Sequence, residues 1–446
     1  MGTSYTTIAT DVYARFLKSK EKDIFFLTGV DEHGAKVAES AQKNNLTPEQ
    51  LVEKRAEEYK SLWQSLNIEY SQFARTTDPE HEQKVKDFLQ TLYDKEFIYK
   101  GEYKGLYCIG CEEFKLSKEL IDGKCPLHDT VPEEVSEPTY FFKLSAFGDQ
   151  LLEKINSGEF VIEPVERKNE VVSFIKGGLN DIAISRKKVQ WGIKCPWDES
   201  HTIYVWIDAL LNYWTFSDGN WPADLQFIGK DILRFHAIIW PALLLAKDEQ
   251  LPKKIFAHGY FTSGGKKMSK TLGNKIDPLE IIEQYSADTL RYYILREIPF
   301  GSDGDVSIEG VKVRYNADLA NTLGNLIQRT LTMAEKFDVT AFQSNASTVE
   351  PFEQQVQNHY QKLEFHLALE KIIHLASKQN VIIDETKPWD LIETDREKVK
   401  QILGDILIQL QIIGRLLLPV MPATAQKIID QVTFKAPKEP IFPKKN

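Results

Sequence analysis

Ile24-Phe25-Phe26-Leu27-Thr28-Gly29-Val30-Asp31-Glu32-His33-Gly34 sets an apolar, β-prone run directly against a polar loop bounded by glycine. Ahead of it, Ile8, Val12 and Phe16 recur at helical spacing. Helix, strand, then a loop dense in ionisable groups is the order of an α/β fold, whose strand ends carry the chemistry. Helical patterns continue to about Tyr93. Further apolar runs at Tyr204 to Ile207, at Gln226-Phe227-Ile228 leading into Gly229, and at Ile255 to Tyr260 are expected to be strands of the same domain. Between them, Tyr99 to Phe142 is aromatic, cysteine-bearing and turn-rich, with Gly101, Gly105, Gly110 and Gly123, and reads as an inserted module. From about Arg314 the pattern is helical. Val399, Ile402, Leu403, Ile406, Leu410, Ile413 and Leu417 form one stripe stopped by Pro419, which is read as bundle core rather than a coiled-coil surface. The tail Lys435 to Asn446 is expected to be a surface strand or a loose end.

A chain of 446 residues exceeds what one hydrophobic core supports, so several domains are expected. A net charge of −10 gives no hint of a nucleic-acid partner, although local Lys/Arg patches can hide inside such a total. No apolar run approaches the roughly 20 residues of a membrane helix, and the start lacks a basic-then-apolar signal. The chain is expected to be soluble, unexported and cytoplasmic.

Three of the four cysteines crowd together. Cys108-x-x-Cys111 and Cys125-x-x-His128 are two knuckles with the spacing of a closed, structural Zn2+ site, turned by Gly110 and Gly123; free thiols are the competing reading. Cys195 stands alone and is expected to be an inert thiol.

Gly264-Gly265-Lys266-Lys267-Met268-Ser269-Lys270-Thr271 puts lysines on a glycine-entered loop. Such a loop is suited to close on a triphosphate as charge builds on leaving pyrophosphate, or is merely a solvated basic loop. In Phe227-Ile228-Gly229-Lys230-Asp231-Ile232 a strand ends in glycine and a helix opens, with His236 further along. Asp231 is then a ribose acceptor or an ordinary helix cap.

Lys267 to Thr271, preceded by His258-Gly259 and followed by Leu272-Gly273-Asn274, resembles the KMSKS signature of class I aminoacyl-tRNA synthetases. Gly229-Lys230-Asp231 with Phe235-His236, and Trp206-Ile207-Asp208-Ala209-Leu210-Leu211-Asn212-Tyr213, resemble the methionyl members of that class. The resemblance spans essentially the whole chain. It implies a Rossmann-type parallel-sheet catalytic domain (1–96 and 171–256) interrupted by a zinc-binding module (97–170). A KMSKS linker (257–305) and an all-α anticodon-binding bundle (306–446) follow. It implies attack of the methionine carboxylate on the ATP α-phosphate, with Mg2+ accompanying ATP, then transfer to the terminal adenosine of methionine tRNA.

By that resemblance Asp31 pairs with the substrate ammonium group, and Trp206, Ala209, Tyr213, Phe235 and His236 line the methionine pocket. Aromatic walls suit a polarizable thioether, and Tyr213 and His236 are placed to hydrogen-bond its sulfur. Gly229 and Asp231 take the ATP ribose, and Lys267 and Lys270 assist the leaving pyrophosphate. Asp181 to Arg186 with Trp191-Gly192 matches a stretch near the active site, with no role assigned to Arg186. His128 as fourth zinc ligand resembles the one-zinc branch. Asn325, Arg329 and Trp389 would read the CAU anticodon, Trp389 by stacking; Pro388 and flanking charges favour its exposure over a core position.

Met1-Gly2-Thr3 aligns with the second to fourth positions of the HIGH motif. Gly2 would admit adenine to the backbone and Thr3 would donate to phosphate. The first histidine and its preceding strand are absent from the sequence, so impaired catalysis is expected. A noncatalytic tRNA-binding fragment is the alternative, and a leucyl or cysteinyl enzyme is a further one. With no domain appended after the bundle, a monomer is expected.

Overall fold

The computed structural model describes residues 2–108, 113–115, 120–126, 129–264, 266–267, 276–339, 350–434 and 439–445. The expectations for Cys111, His128 and Lys270 lie outside the described residues. Two compact units emerge: Phe25–Ser61 with Tyr70–Ala257, and Met1–Ile24 with Leu62–Glu69 and His258–Asn446.

In the first, the strand Leu27–Val30 runs parallel to Gln72–Arg75, with Leu27 opposite Gln72 and Val30 opposite Arg75. It therefore begins later than the apolar run 24–27 expected for it. The partner decides this: the Phe26 carbonyl accepts from Ser71 and Gln72, which leads the two chains into register only from Leu27 onward. Gly29 is required there, because a Cβ would stand 2.4 Å from the Ala74 carbonyl oxygen. Gln226–Gly229, Lys254–His258 and Val161–Glu163 form a second sheet in that order, the last two parallel. Val161–Glu163 falls within the segment expected for the insertion, yet it pairs with the resumed α/β strands. The remainder of that segment builds around Ile98–Cys108, which runs antiparallel to Glu133–Phe142 from Ile98 opposite Phe142 to Tyr107 opposite Glu133.

Tyr204 to Ile207 is not a strand. The strand Asp198–Ile203 ends when the Tyr204 N–H donates to the Ile184 carbonyl at 2.8 Å, and the helix Val205–Thr215 starts at once. The β-prone composition loses because the helix buries Ile207, Leu210 and Leu211 in the common core with Trp240 and Phe142. On this helix Trp206, Ala209 and Tyr213 share one face, at spacings of three and four.

The second unit is mainly helical. Gly2–Lys18 buries Tyr5, Ile8, Ala9, Val12 and Phe16. Arg396–Leu417 carries the expected stripe, with Val399, Leu403, Ile406, Leu410, Ile413 and Leu417 buried and Asp395 capping its start through the Lys398 N–H. A fully buried Arg291 ties the unit together: it donates to Asp11 Oδ2 at 2.6 Å and to the carbonyls of Val420, Pro419 and Leu66. The described part of the tail is docked rather than loose, since Phe442 is buried and the Tyr315 hydroxyl donates to the Pro443 carbonyl at 2.9 Å. Among the described residues no helix is long and apolar enough to cross a membrane.

Candidate active site

The strand Gln226–Gly229 releases the chain into a short turn, Lys230–Ile232, and then into wider helical turns at Phe235–Ile239. Phe235 thereby meets the helix Val205–Thr215. Its ring stacks on Trp206 with centroids 4.1 Å apart and planes 14° from parallel. One residue on, His236 Nδ1 donates to the Ile232 carbonyl at 2.9 Å, which leaves Nε2 as an acceptor for the Tyr213 hydroxyl at 2.8 Å. Burial pushes the His236 pKa down to about 4, so the imidazole is neutral and this tautomer is fixed at physiological pH. Tyr213 is shifted up, first by burial and then by the negative charge of Asp31. Trp206 is thus paired with Phe235 and Tyr213 with His236, and the charge of Asp31 acts on the Tyr213 hydroxyl. Because Tyr213 and His236 satisfy each other, a thioether sulfur would have to compete for the phenolic proton. Asp231 is exposed, and the turn it occupies is capped by Gly229 without a side-chain bond, so the helix-cap reading of Asp231 does not apply.

The loop from Thr28 to Gly34 is held at each residue after Asp31. The Glu32 N–H donates to Thr76 Oγ1 at 3.0 Å; its carboxylate accepts from Arg75 Nε at 2.9 Å and from the Thr77 hydroxyl. The Trp191 indole donates to the Glu32 carbonyl at 2.7 Å. His33 Nδ1 lies 2.6 Å from Asp208 Oδ2, and His81 Nε2 lies 2.7 Å from Asp208 Oδ1. The other ring nitrogen of His81 reaches Thr215 Oγ1 at 2.7 Å. Gly34 adopts φ +98°, the left-handed half of backbone space, where glycine turns the chain into the next helix. In the sequence His33 and Asp208 are visible only as members of their motifs, and His81 and Arg75 belong to none; the DEHG loop with a second carboxylate motif is the available signal.

In the other unit, Gly2 and Thr3 open the helix Gly2–Lys18 and are exposed. A Cβ on Gly2 would meet nothing within 4 Å, so packing does not demand a glycine there. One turn on, Thr6 Oγ1 lies 2.7 Å from His258 Nε2; His258 Nδ1 donates to the Gly259 carbonyl, which makes the threonine hydroxyl the donor. The base of the lysine hairpin is built from Phe261–Ser263, paired with Gly304–Asp305 and with the backbone of Lys266–Lys267. Asp305 accepts from the Thr262 hydroxyl at 2.8 Å and from the Gly264 N–H at 3.2 Å, fixing where the loop leaves.

Asn325 and Arg329 lie one turn apart on Asn325–Lys336. The Arg329 guanidinium stands 5.8 Å from the Trp389 ring centroid and donates to Asp384 at 2.6 Å. Trp389 is 43% exposed, so it is not the bundle-core residue that an isolated tryptophan usually is. All three expected anticodon residues therefore belong to one exposed patch or its edge.

Of the proposed zinc ligands, Cys108 and Cys125 are described and buried. They meet through Thr130, whose hydroxyl lies 4.0 Å from Cys108 Sγ and whose carbonyl accepts from the Cys125 N–H. The Asp129 N–H folds back on the Cys125 carbonyl at 2.8 Å, and Gly123 has φ +76°. Among the described residues no cluster of three or more potential metal ligands is found, and Cys111 and His128 lie outside them. Cys195 is also buried, which pushes its thiol up to about 12 and keeps it protonated.

The sequence profile of the family described as "tRNA synthetases class I (M)" matches residues 1–131 and 115–331. Together with the strand-end site, this makes the chain a class I aminoacyl-tRNA synthetase. The methionine–tRNA ligase of Caldanaerobacter subterraneus subsp. tengcongensis is 44% identical over 97% of this chain and 71% of its own length. That of Rickettsia conorii is 41% identical over 97% of this chain and 89% of its own. The Mycobacterium tuberculosis methionyl-tRNA synthetase bound by methionyl-adenylate superposes with a TM-score of 0.91 at 36% identity, covering 99% of this chain and 96% of that one. The chain belongs to the methionyl-tRNA synthetase family, and it is an enzyme that ligates methionine to tRNA rather than a noncatalytic tRNA-binding fragment.

Proposed function

We propose that methionine activation uses the pocket of the first unit as follows. Asp31 takes the ammonium group as a charge-assisted hydrogen bond. Trp206, Phe235 and Ala209 enclose the methylene chain and sulfur, and the neutral Tyr213–His236 pair closes the far end. The supporting observation is the Trp206–Phe235 stack beside a hydroxyl–imidazole pair: an apolar slot with one polar contact suits a thioether and disfavours a charged side chain. Gly229 and Asp231 receive the ribose of ATP, whose phosphates arrive with Mg2+. Gly2 and Thr3 at a helix start, with Lys267 and Lys270, serve the phosphates. The carboxylate of methionine attacks the α-phosphate, pyrophosphate leaves, and the acyl group then passes to the terminal adenosine of tRNA.

Asn325, Arg329 and Trp389 read a CAU anticodon, with base stacking on Trp389. A structural Zn2+ is held by Cys108, Cys111, Cys125 and His128 and stabilises the module fold; metal analysis should give one zinc per chain, and Cys125→Ser should lose it. The protein acts as a cytoplasmic monomer, which light scattering checks. Specificity is tested by ATP–pyrophosphate exchange with each amino acid. Exchange dependent on methionine is the expected result, and exchange with leucine or cysteine in its place refutes the pocket assignment.

A further inference from the structure

The carboxylate of Asp208 is 2% exposed and gives one oxygen to each of two imidazoles. Withdrawing a carboxylate from water is costly, and an apolar residue of similar size fills space without that cost. The partners therefore matter. His33 lies two residues beyond Asp31 on the loop that the substrate ammonium is proposed to meet. His81 is braced behind, bonded to Thr215 and stacked on Phe216 with planes 12° from parallel. Asp208 itself sits on Val205–Thr215, the helix whose opposite flank carries Trp206, Ala209 and Tyr213. One rigid element thus bears both the side-chain pocket and the anchor of the Asp31 loop.

We propose that Asp208 is a positioning residue for substrate recognition: through His33, with His81 as its brace, it sets the distance between the Asp31 carboxylate and the thioether slot. The enzyme thereby measures the separation of amino group and sulfur in its substrate. This rests on the reading of Asp31 as the ammonium partner. Glu32, held independently by Arg75 and Thr76, fixes the loop between the two residues.

The test compares calorimetric binding of L-methionine with that of 4-(methylsulfanyl)butanoate, which is methionine without its amino group. The wild type should prefer methionine by about tenfold or more, the usual discrimination of one charge-assisted hydrogen bond. Asp31→Asn should erase the preference; if it does not, the Asp31 reading falls, whatever Asp208 does. Asp208→Asn should erase the same preference while leaving affinity for the deaminated compound within about threefold. A structural role would weaken both ligands alike, and that result, or an unchanged preference, overturns the inference. Should Asp208→Asn fail to fold, His33 supplies the test: His33→Asn keeps an N–H where Nδ1 stood and should retain the preference, whereas His33→Gln, which mimics Nε2, should lose it. Equal behaviour of the two His33 variants contradicts the proposal.

Discussion

Asp11 and Asp208 are each withdrawn from water, one in either unit, at 0% and 2% exposure, but they keep different company. Asp11 is met by Arg15, by Arg291 and by the Glu69 N–H, and Arg291 spends its remaining donors on carbonyls at Leu66, Pro419 and Val420. Those partners are permanently charged or are backbone, and they join segments far apart in sequence. Asp208 is met instead by the imidazole rings of His33 and His81. Permanent charge suits a joint that must never open, while an imidazole pair suits a loop adjusted to a ligand. The contrast separates glue from positioning in one chain.

Breaking the glue should have the largest effect. Arg291→Met leaves Asp11 with a weaker set of partners and strands several buried carbonyls, and the expected loss is about 3–5 kcal/mol in urea denaturation. Asp208→Asn should cost less, about 1–3 kcal/mol, because the amide fills the same space and what is lost is acceptor capacity toward the two rings.

The same variant sharpens the comparison through pH. Burial opposes a charge on His33, but the hydrogen bond and charge of Asp208, helped by Glu82 and Glu32, outweigh it and raise its pKa above 6.5. Stabilisation from that shift is full below pH 6.5 and is lost as pH rises through the raised value. Burial likewise works against Asp208, yet His33 and His81 lower its pKa, so its share is present above 3.8 and is lost as pH falls through the depressed value. Unfolding free energy should therefore decline between pH 6.5 and alkaline pH, and this decline should shrink in Asp208→Asn.

At the exposed patch of the helical unit the effect should be confined to tRNA. Trp389→Ala removes one stacking surface, expected to weaken tRNA binding by about 1–3 kcal/mol while methionine-dependent pyrophosphate exchange holds. Smallest of all, Lys253→Ala removes an exposed ion pair with Asp224 and should leave stability and activity unchanged within error in both assays.

What the sequence made legible follows from where each signal lives. The stripe from Val399 to Leu417 and the turn from Ile228 into Gly229 are local patterns, and both elements formed as expected. The first strand starts three residues later than its apolar run predicts because its position is set by pairing with Gln72–Arg75, more than 40 residues away. Tyr204 to Ile207 looked β-prone and became helical once the Ile184 carbonyl took the Tyr204 N–H. The residues of the proposed pocket came through a family resemblance, and of these Trp206 meets Phe235 and Tyr213 meets His236. Their supports were not legible: His81 and Asp208 are 127 positions apart, and no spacing rule links them. Trp389 was readable because Pro388 and neighbouring charges are local cues to exposure.

Methionine binding is assigned to residues of the first unit alone. A crystal structure with L-methionine measures this directly. The ammonium group should lie within hydrogen-bond distance of the Asp31 carboxylate, with the thioether between the Trp206–Phe235 wall and the Tyr213–His236 pair. Methionine bound away from these residues, with the stack closed and Asp31 untouched, would contradict it.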